Sequence, residues 1–193
     1  MGTPKTPDKT RELILGTALE LFSERGYFAT SVHDIRKHAG LSTGSIYHHF
    51  ANKEALARAL YDDLVGRMQI LVDDATNSQH SSKAKCRAIA SALCQAAVEQ
   101  PRVLNFILHA RHREFLPDSP PICSTSPFET MKNIVCQGIE AGEIRPMDLV
   151  SASVCIFGGV IRLLHLSLDG VLEKPPSAYL DEVWQASWQG VAN

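Results

Sequence analysis

The chain has 193 residues, of which 45% are hydrophobic and 21% charged, with a formal charge of -2. At this length an ordinary globular core buries roughly 70% of the unfolded surface, so stability requires neither disulfides nor a structural metal. The balance excludes a uniformly basic nucleic-acid coat and an acidic disordered tail, although residues 1–60 carry eight Lys/Arg against six Asp/Glu and the rest eleven against fifteen.

Apolar residues recur at helical spacing nearly throughout, and no stretch alternates as a half-buried strand would, which predicts an all-α fold. A first helix begins after Pro7 with Asp8 as cap, buries Ile14, Ala18, Leu21 and Phe22, and ends at Gly26. A second starts at Thr30 or Ser31, with Asp34 suited to its free amides, buries Val32, Ile35 and Ala39, and stops at Gly40. Ser42 caps a third through Phe50. Asn52 caps a fourth with the stripe Leu56, Leu60, Leu64, Met68 and Leu71, running to about Ala75, roughly 35 Å and long enough to join two domains as a lever. Further helices are expected over residues 83–99, 101–115, 128–141, 148–168 and 177–191, with an irregular, proline-rich segment at 117–127.

Residues 30–53, TSVHDIRKHAGLSTGSIYHHFANK, carry the functional signal. Two short amphipathic helices flank a tight turn at Ala39-Gly40-Leu41-Ser42, where Gly40 supplies a left-handed backbone and Leu41 plugs the gap: a helix-turn-helix. The third helix then faces a DNA major groove. Its first turn, Thr43, Gly44 and Ser45, is small and hydrogen-bonding, and Tyr47 and His48 can reach phosphates or base edges. Lys53 in the first turn of the next helix opposes the helix dipole, an anomaly that a bound phosphate would explain.

The stretches ILGTALELFSERGYFATSVHDIRKHAG, LSTGSIYHHF and NKEAL make residues 11–60 resemble the DNA-binding domain of the TetR family of transcriptional regulators. The remainder resembles that family in helical layout and in the phrase Gly-Ile-Glu-Ala-Gly-Glu-Ile-Arg-Pro at 138–146. The resemblance implies double-stranded DNA contacts from Thr30, Thr43, Gly44, Ser45, Tyr47, His48 and Lys53. It also implies a homodimer through the last two helices. Gly16 departs from the alanine more usual in the family, and His33 and His38 from commoner surface residues.

The expected division is a three-helix DNA-binding domain over residues 1–50 and a helical ligand-binding and dimerisation domain over 51–193. In the latter, residues 149–168 are apolar nearly all round, so burial on several sides is expected, and Trp184 and Trp188 suit a subunit interface. Ser151, Ser153, Arg162 and His165 argue against a membrane span there. An apolar effector pocket is expected to involve Phe106 and Cys155, together with Ile107, Cys136, Phe157 and Leu164. Arg162 and His165 either meet a neutral polar or anionic group on the effector or pair with Asp181 or Glu182.

The odd, scattered cysteines Cys86, Cys94, Cys123, Cys136 and Cys155 read as reduced, inert thiols. The opening residues lack the apolar core of a secretory signal, which predicts a cytoplasmic protein. No Ser-His-Asp set, paired carboxylates, phosphate loop or metal-ligand spacing is present, so neither enzymatic chemistry, cofactor nor metal is expected. A DNA-binding or adaptor protein without a small-molecule effector fits the first sixty residues equally well.

Overall fold

The computed structural model describes residues 8–110 and 112–193, so the opening residues, on which the expectation about a secretory signal rests, lie outside the described residues. Among those residues the chain forms ten α-helices, two short 3-10 turns and one isolated β-bridge between Ile144 and Ala192. The helices are α1 (Lys9–Arg25), α2 (Val32–Ala39), α3 (Thr43–His49), α4 (Lys53–Thr76), α5 (Ser82–Glu99), α6 (Pro101–His109), α7 (His112–Phe115), α8 (Ser126–Glu140), α9 (Leu149–Leu168) and α10 (Leu180–Gln189).

Caps set the ends of the early helices. The Asp8 carboxylate accepts from the amides of Thr10 and Arg11 at 3.1 and 3.3 Å. Ser31 and Asp34 form a reciprocal capping box, the Asp34 amide donating to Ser31 Oγ at 3.1 Å and the Ser31 amide to Asp34 Oδ2 at 2.9 Å. The Ser31 hydroxyl, followed by the Ser31 amide, donates to the Asp34 carboxylate and holds it below the usual carboxylate range. Gly40 has φ 67°, and its amide returns to the carbonyls of Arg36 and Lys37, closing α2 before the turn. Residues 101–115 form two helices rather than the single expected one, the first ending at His109.

The described residues pack as two compact units. One holds the chain up to Leu64 together with Asn105–Ser119; the other holds Val65–Leu104 and Pro120–Asn193. The first unit thus reaches beyond residue 50 and takes in a segment that sequence placed in the later domain. Its reasons are apolar: Leu56, Leu60, Tyr61 and Leu64 of α4 are all at most 4% exposed. Phe106 stacks near Phe22 at 6.5 Å between centroids, Phe115 stacks on Tyr27, and the His112 ring meets Tyr61 edge-on. Arg58 Nη1 donates to Ser119 Oγ at 3.0 Å, tying down the end of the segment.

The second unit buries Ile89, Leu93, Met131, Val135, Ile156, Val160, Leu163 and Leu164 from α5, α8 and α9. Gly159 brings α9 against α10: a Cβ there would lie 2.9 Å from Val183 Cγ1 and 3.3 Å from Ser187 Oγ. Trp184 and Trp188 do not face outward as expected. Their rings stack 5.5 Å apart and are buried in their own unit, because α10 turns its apolar stripe inward and leaves Asp181, Glu182, Gln185 and Gln189 outside. Conversely, α9 is less covered than its composition suggests, with Val150 and Val154 exposed. Among the described residues it is the one helix long and apolar enough to cross a membrane, and it is partly buried within the second unit.

The 138–146 phrase is a clamp. A Cβ on Gly138 would meet Ile144 Cδ1 at 2.7 Å and Ser82 Cβ at 2.9 Å, so the start of α5 crosses α8 where no side chain stands. The Glu143 carboxylate accepts from the amides of Ser82 and Lys83 at 2.9 and 3.0 Å, satisfying the first turn of α5. The Arg145 amide donates to the Val191 carbonyl at 2.9 Å, and Arg145 Nη2 to that of Gly190 at 2.8 Å.

Candidate nucleic-acid interface

The three helices of the first unit's front hold one side inward. Ile14, Ala18 and Leu21 of α1, Ile35 of α2 and Ile46 of α3 are at most 1% exposed, which fixes the opposite face of α3 toward solvent. Ser42 caps α3 by accepting from the Ser45 amide at 3.1 Å.

On that outer face Thr43 and Tyr47 line a shallow depression of about 90 Å³ together with Val32, His33, Arg36 and Ile46. Tyr47 is 52% exposed, and Thr43, Gly44 and His48 are exposed as well. Ser45 is half-buried, its hydroxyl 2.9 Å from that of Ser42. The arrangement combines hydroxyls, a phenol, an imidazole and a guanidinium on one face, the donor set that meets phosphate oxygens and base edges. His33 and Arg36 were missed as members of this face. The signal for them lay in the i, i+3 spacing on α2 and the tight turn that brings α2 beside α3.

Two residues depart from the expected picture. Thr30 is 1% exposed, and its hydroxyl donates to the carbonyls of Gly26 at 2.9 Å and Leu21 at 3.3 Å, so its side chain closes the α1–α2 connection instead of reaching outward. Lys53 is half-buried. Its ammonium donates to the carbonyls of Tyr27 and Thr30, each at 3.0 Å, and lies 4.0 Å from the centroid of the Tyr27 ring. Burial pulls its pKa below the ordinary lysine value. The cation placed against the dipole of α4 is thus held by carbonyl oxygens of the preceding loop.

The four expected effector residues are divided between the two units. Phe106 is 3% exposed within the first unit, whereas Cys155, Arg162 and His165 belong to α9 in the second. Cys155 and Arg162 are exposed, and Asp181 pairs with Arg87. His165 Nδ1 lies 2.7 Å from the Ile161 carbonyl of its own helix. The exposure of Arg162 follows from its place one residue away from buried Leu163 on a helix with two wet sides. Of the thiols, burial pushes Cys86 up to about 12 and Cys94 to about 11, while Cys123 and Cys155 stand exposed, so inertness through burial holds for only part of the set.

The sequence profile of the bacterial regulatory proteins of the tetR family matches residues 14–60, which take in most of α1, all of α2 and α3, and the first turns of α4. The HTH-type transcriptional repressor KstR2 of Mycolicibacterium smegmatis is 42% identical over 79 residues, covering 39% of this chain and 38% of that protein. The repressor of the same name from Mycobacterium tuberculosis is 32% identical over 148 residues, covering 71% of this chain and 72% of that protein. The chain therefore spans well under half of the first relative's length and nearly three quarters of the second's. Among solved structures, the fatty acid degradation regulator FadR from Bacillus halodurans shares the fold, with a TM-score of 0.82 at 20% identity, covering 97% of this chain and 98% of that one. With its amino-terminal helices matched by the profile and a relative aligned along most of its length, the chain belongs to the TetR family of bacterial regulatory proteins.

Proposed function

We propose that the chain is a transcriptional repressor that binds a near-palindromic operator as a homodimer and leaves it when a small, mainly hydrophobic molecule binds. The observation that carries this reading is the exposed edge of α3, where Thr43 and Tyr47 share a depression with His33 and Arg36. Gly44 lets the backbone approach the groove, and Ser45 and His48 add flanking donors. Lys53 keeps a third N–H beyond the two given to carbonyls, and that donor suits a phosphate. Thr30 contributes through its carbonyl, which positions Lys53, in place of direct contact.

The pairing surface is α9 with α10, where Val150, Val154, Cys155 and Arg162 stand exposed on α9. Two heads held roughly 34 Å apart reach successive major grooves, and an effector that favours another separation releases them. DNA reading takes place in the first unit, and pairing and effector control in the second. The chain acts in the cytoplasm as a regulator and not as a catalyst, and it uses no metal or cofactor.

The test is selection of duplexes from a random library, followed by affinity measurement on the selected sequence. Wild type should select a two-fold-symmetric site. Thr43→Ala and Tyr47→Ala should each bind it about tenfold or more weaker, in line with about 1–3 kcal/mol per lost specific contact, with unchanged thermal unfolding. Wild-type affinity in both variants, or selection of no sequence, would overturn the reading.

A further inference from the structure

The first unit carries a cleft that neither DNA reading nor effector control in the second unit uses. It lies where the carboxy-terminal end of α1 meets that of α6 and the short α7. Five rings wall it, Phe22, Tyr27, Phe28, Phe106 and Phe115. Its volume is about 340 Å³, within the roughly 300–1,000 Å³ typical of small-molecule sites.

The rings differ in what they offer. Tyr27 has both faces covered, one by the Phe115 ring at 4.4 Å between centroids and the other by the Lys53 ammonium at 4.0 Å, so it presents its rim. Phe28 is the opposite case. Its ring stands at 85° to that of Tyr27, 5.2 Å between centroids, and the residue is 69% exposed, which leaves a face open. An aromatic face is the negative part of the ring and attracts a cation.

The surroundings have the same sign. Both α1 and α6 end at this cleft, α1 at Arg25 before the Gly26 cap and α6 at His109, and the last carbonyls of a helix carry the negative end of its dipole. Among the described lining residues there is no Lys or Arg, and the one carboxylate is that of exposed Glu114. Glu114 acts here through its charge at the rim and not through a dedicated bond. Lys53 does not line the cleft, and its ammonium is held by the carbonyls of Tyr27 and Thr30.

We infer that this cleft binds an organic cation: a quaternary or alkylated ammonium against Phe28 and the carbonyl ends of α1 and α6, carried on an apolar body seated among Phe22, Phe106 and Phe115. The site is separate from the effector of the second unit and does not rest on it. Its walls come from α1 and the loop after it on one side and from residues 105–115 on the other. An occupant therefore joins the two stretches of chain that close this unit, and its binding adds to the unit's stability.

Ligand-observed NMR titration of the full chain, with phenyltrimethylammonium, its uncharged isostere tert-butylbenzene and benzoate, tests the assignment. The cation should bind once per chain and at least tenfold tighter than either of the others. Phe28→Leu keeps an apolar side chain and removes the ring face, and should weaken the cation at least fivefold while leaving the melting temperature of the free protein unchanged. Glu114→Lys, a surface change, should narrow the preference for the cation over benzoate at least tenfold. The assignment is overturned if the cation does not bind, if the uncharged isostere binds as tightly, if Phe28→Leu binds the cation as wild type does, or if Glu114→Lys leaves the preference intact.

Discussion

The ring of Tyr27 lies on that of Phe115, 4.4 Å between centroids and 14° between planes. Its neighbourhood also holds the Lys53 ammonium, so one phenol joins the Asn105–Ser119 segment to the cation beside the helix-turn-helix. Burial, with Glu54 nearby, raises the pKa of that phenol.

Phe115→Leu should keep most of the buried area and lose the stack, costing about 0.5–1.5 kcal/mol, read from the urea midpoint. Lys53→Met keeps the stem and removes both bonds to the loop carbonyls, which should cost about 1–3 kcal/mol. An unchanged midpoint for Lys53→Met would show that the ammonium does not brace the loop. In operator binding, the same variant should lower the magnitude of the salt slope by up to about one unit if the third N–H meets a phosphate.

Gly138→Ala should be among the most damaging single-methyl additions in the chain. The added carbon would stand 2.7 Å from Ile144 and 2.9 Å from Ser82, and Ile144 is fully buried, so neither side has room to give. A loss of about 1–3 kcal/mol is expected in chemical denaturation. Glu143→Ala, which strips the carboxylate from the first amides of α5, should cost about 0.5–2 kcal/mol.

His112 should make stability fall on mild acidification. Its ring is buried among Tyr61, Phe106 and Phe115, with neither nitrogen in a well-aligned hydrogen bond. Burial pulls its pKa below the ordinary 6.5, opposed by the nearby carbonyls of Ile107 and Phe106. The unfolded chain therefore takes up the proton first. Stability associated with the neutral ring is complete above about pH 6.5 and is lost as the pH falls from there through the lowered folded-state value. Unfolding curves between pH 7.5 and 5 should show a slope that His112→Phe reduces; an equal slope in that variant would assign the effect to other groups.

Local chemistry made the early helices legible. Asp8, the Ser31–Asp34 box and Gly40 each act within four residues, so their roles are written in adjacent sequence. The outer face of α3 was legible for a related reason: Ile46 and Phe50 had to turn inward, which put Thr43 and Tyr47 outside. The return of residues 105–119 to the first unit depends on Phe106, Phe115 and His112 finding partners more than forty positions earlier, and no local spacing encodes that. The exposure of Arg162 and the inward turn of the two tryptophans were not legible for a further reason. On helices with mixed neighbours, apolar character alone does not say which side meets its own unit, and α10 buried its aromatic rings where an outward stripe was expected.

Because the amino-terminal unit closes around Asn105–Ser119, it cannot be completed during synthesis until residue 119 has left the ribosome. Before then Phe22, Tyr27 and Tyr61 lack the aromatic partners that cover them in the finished fold. A fragment ending near residue 64 would carry every expected DNA-contacting side chain and still be an unfinished head, with an aromatic surface open to aggregation or to chaperones.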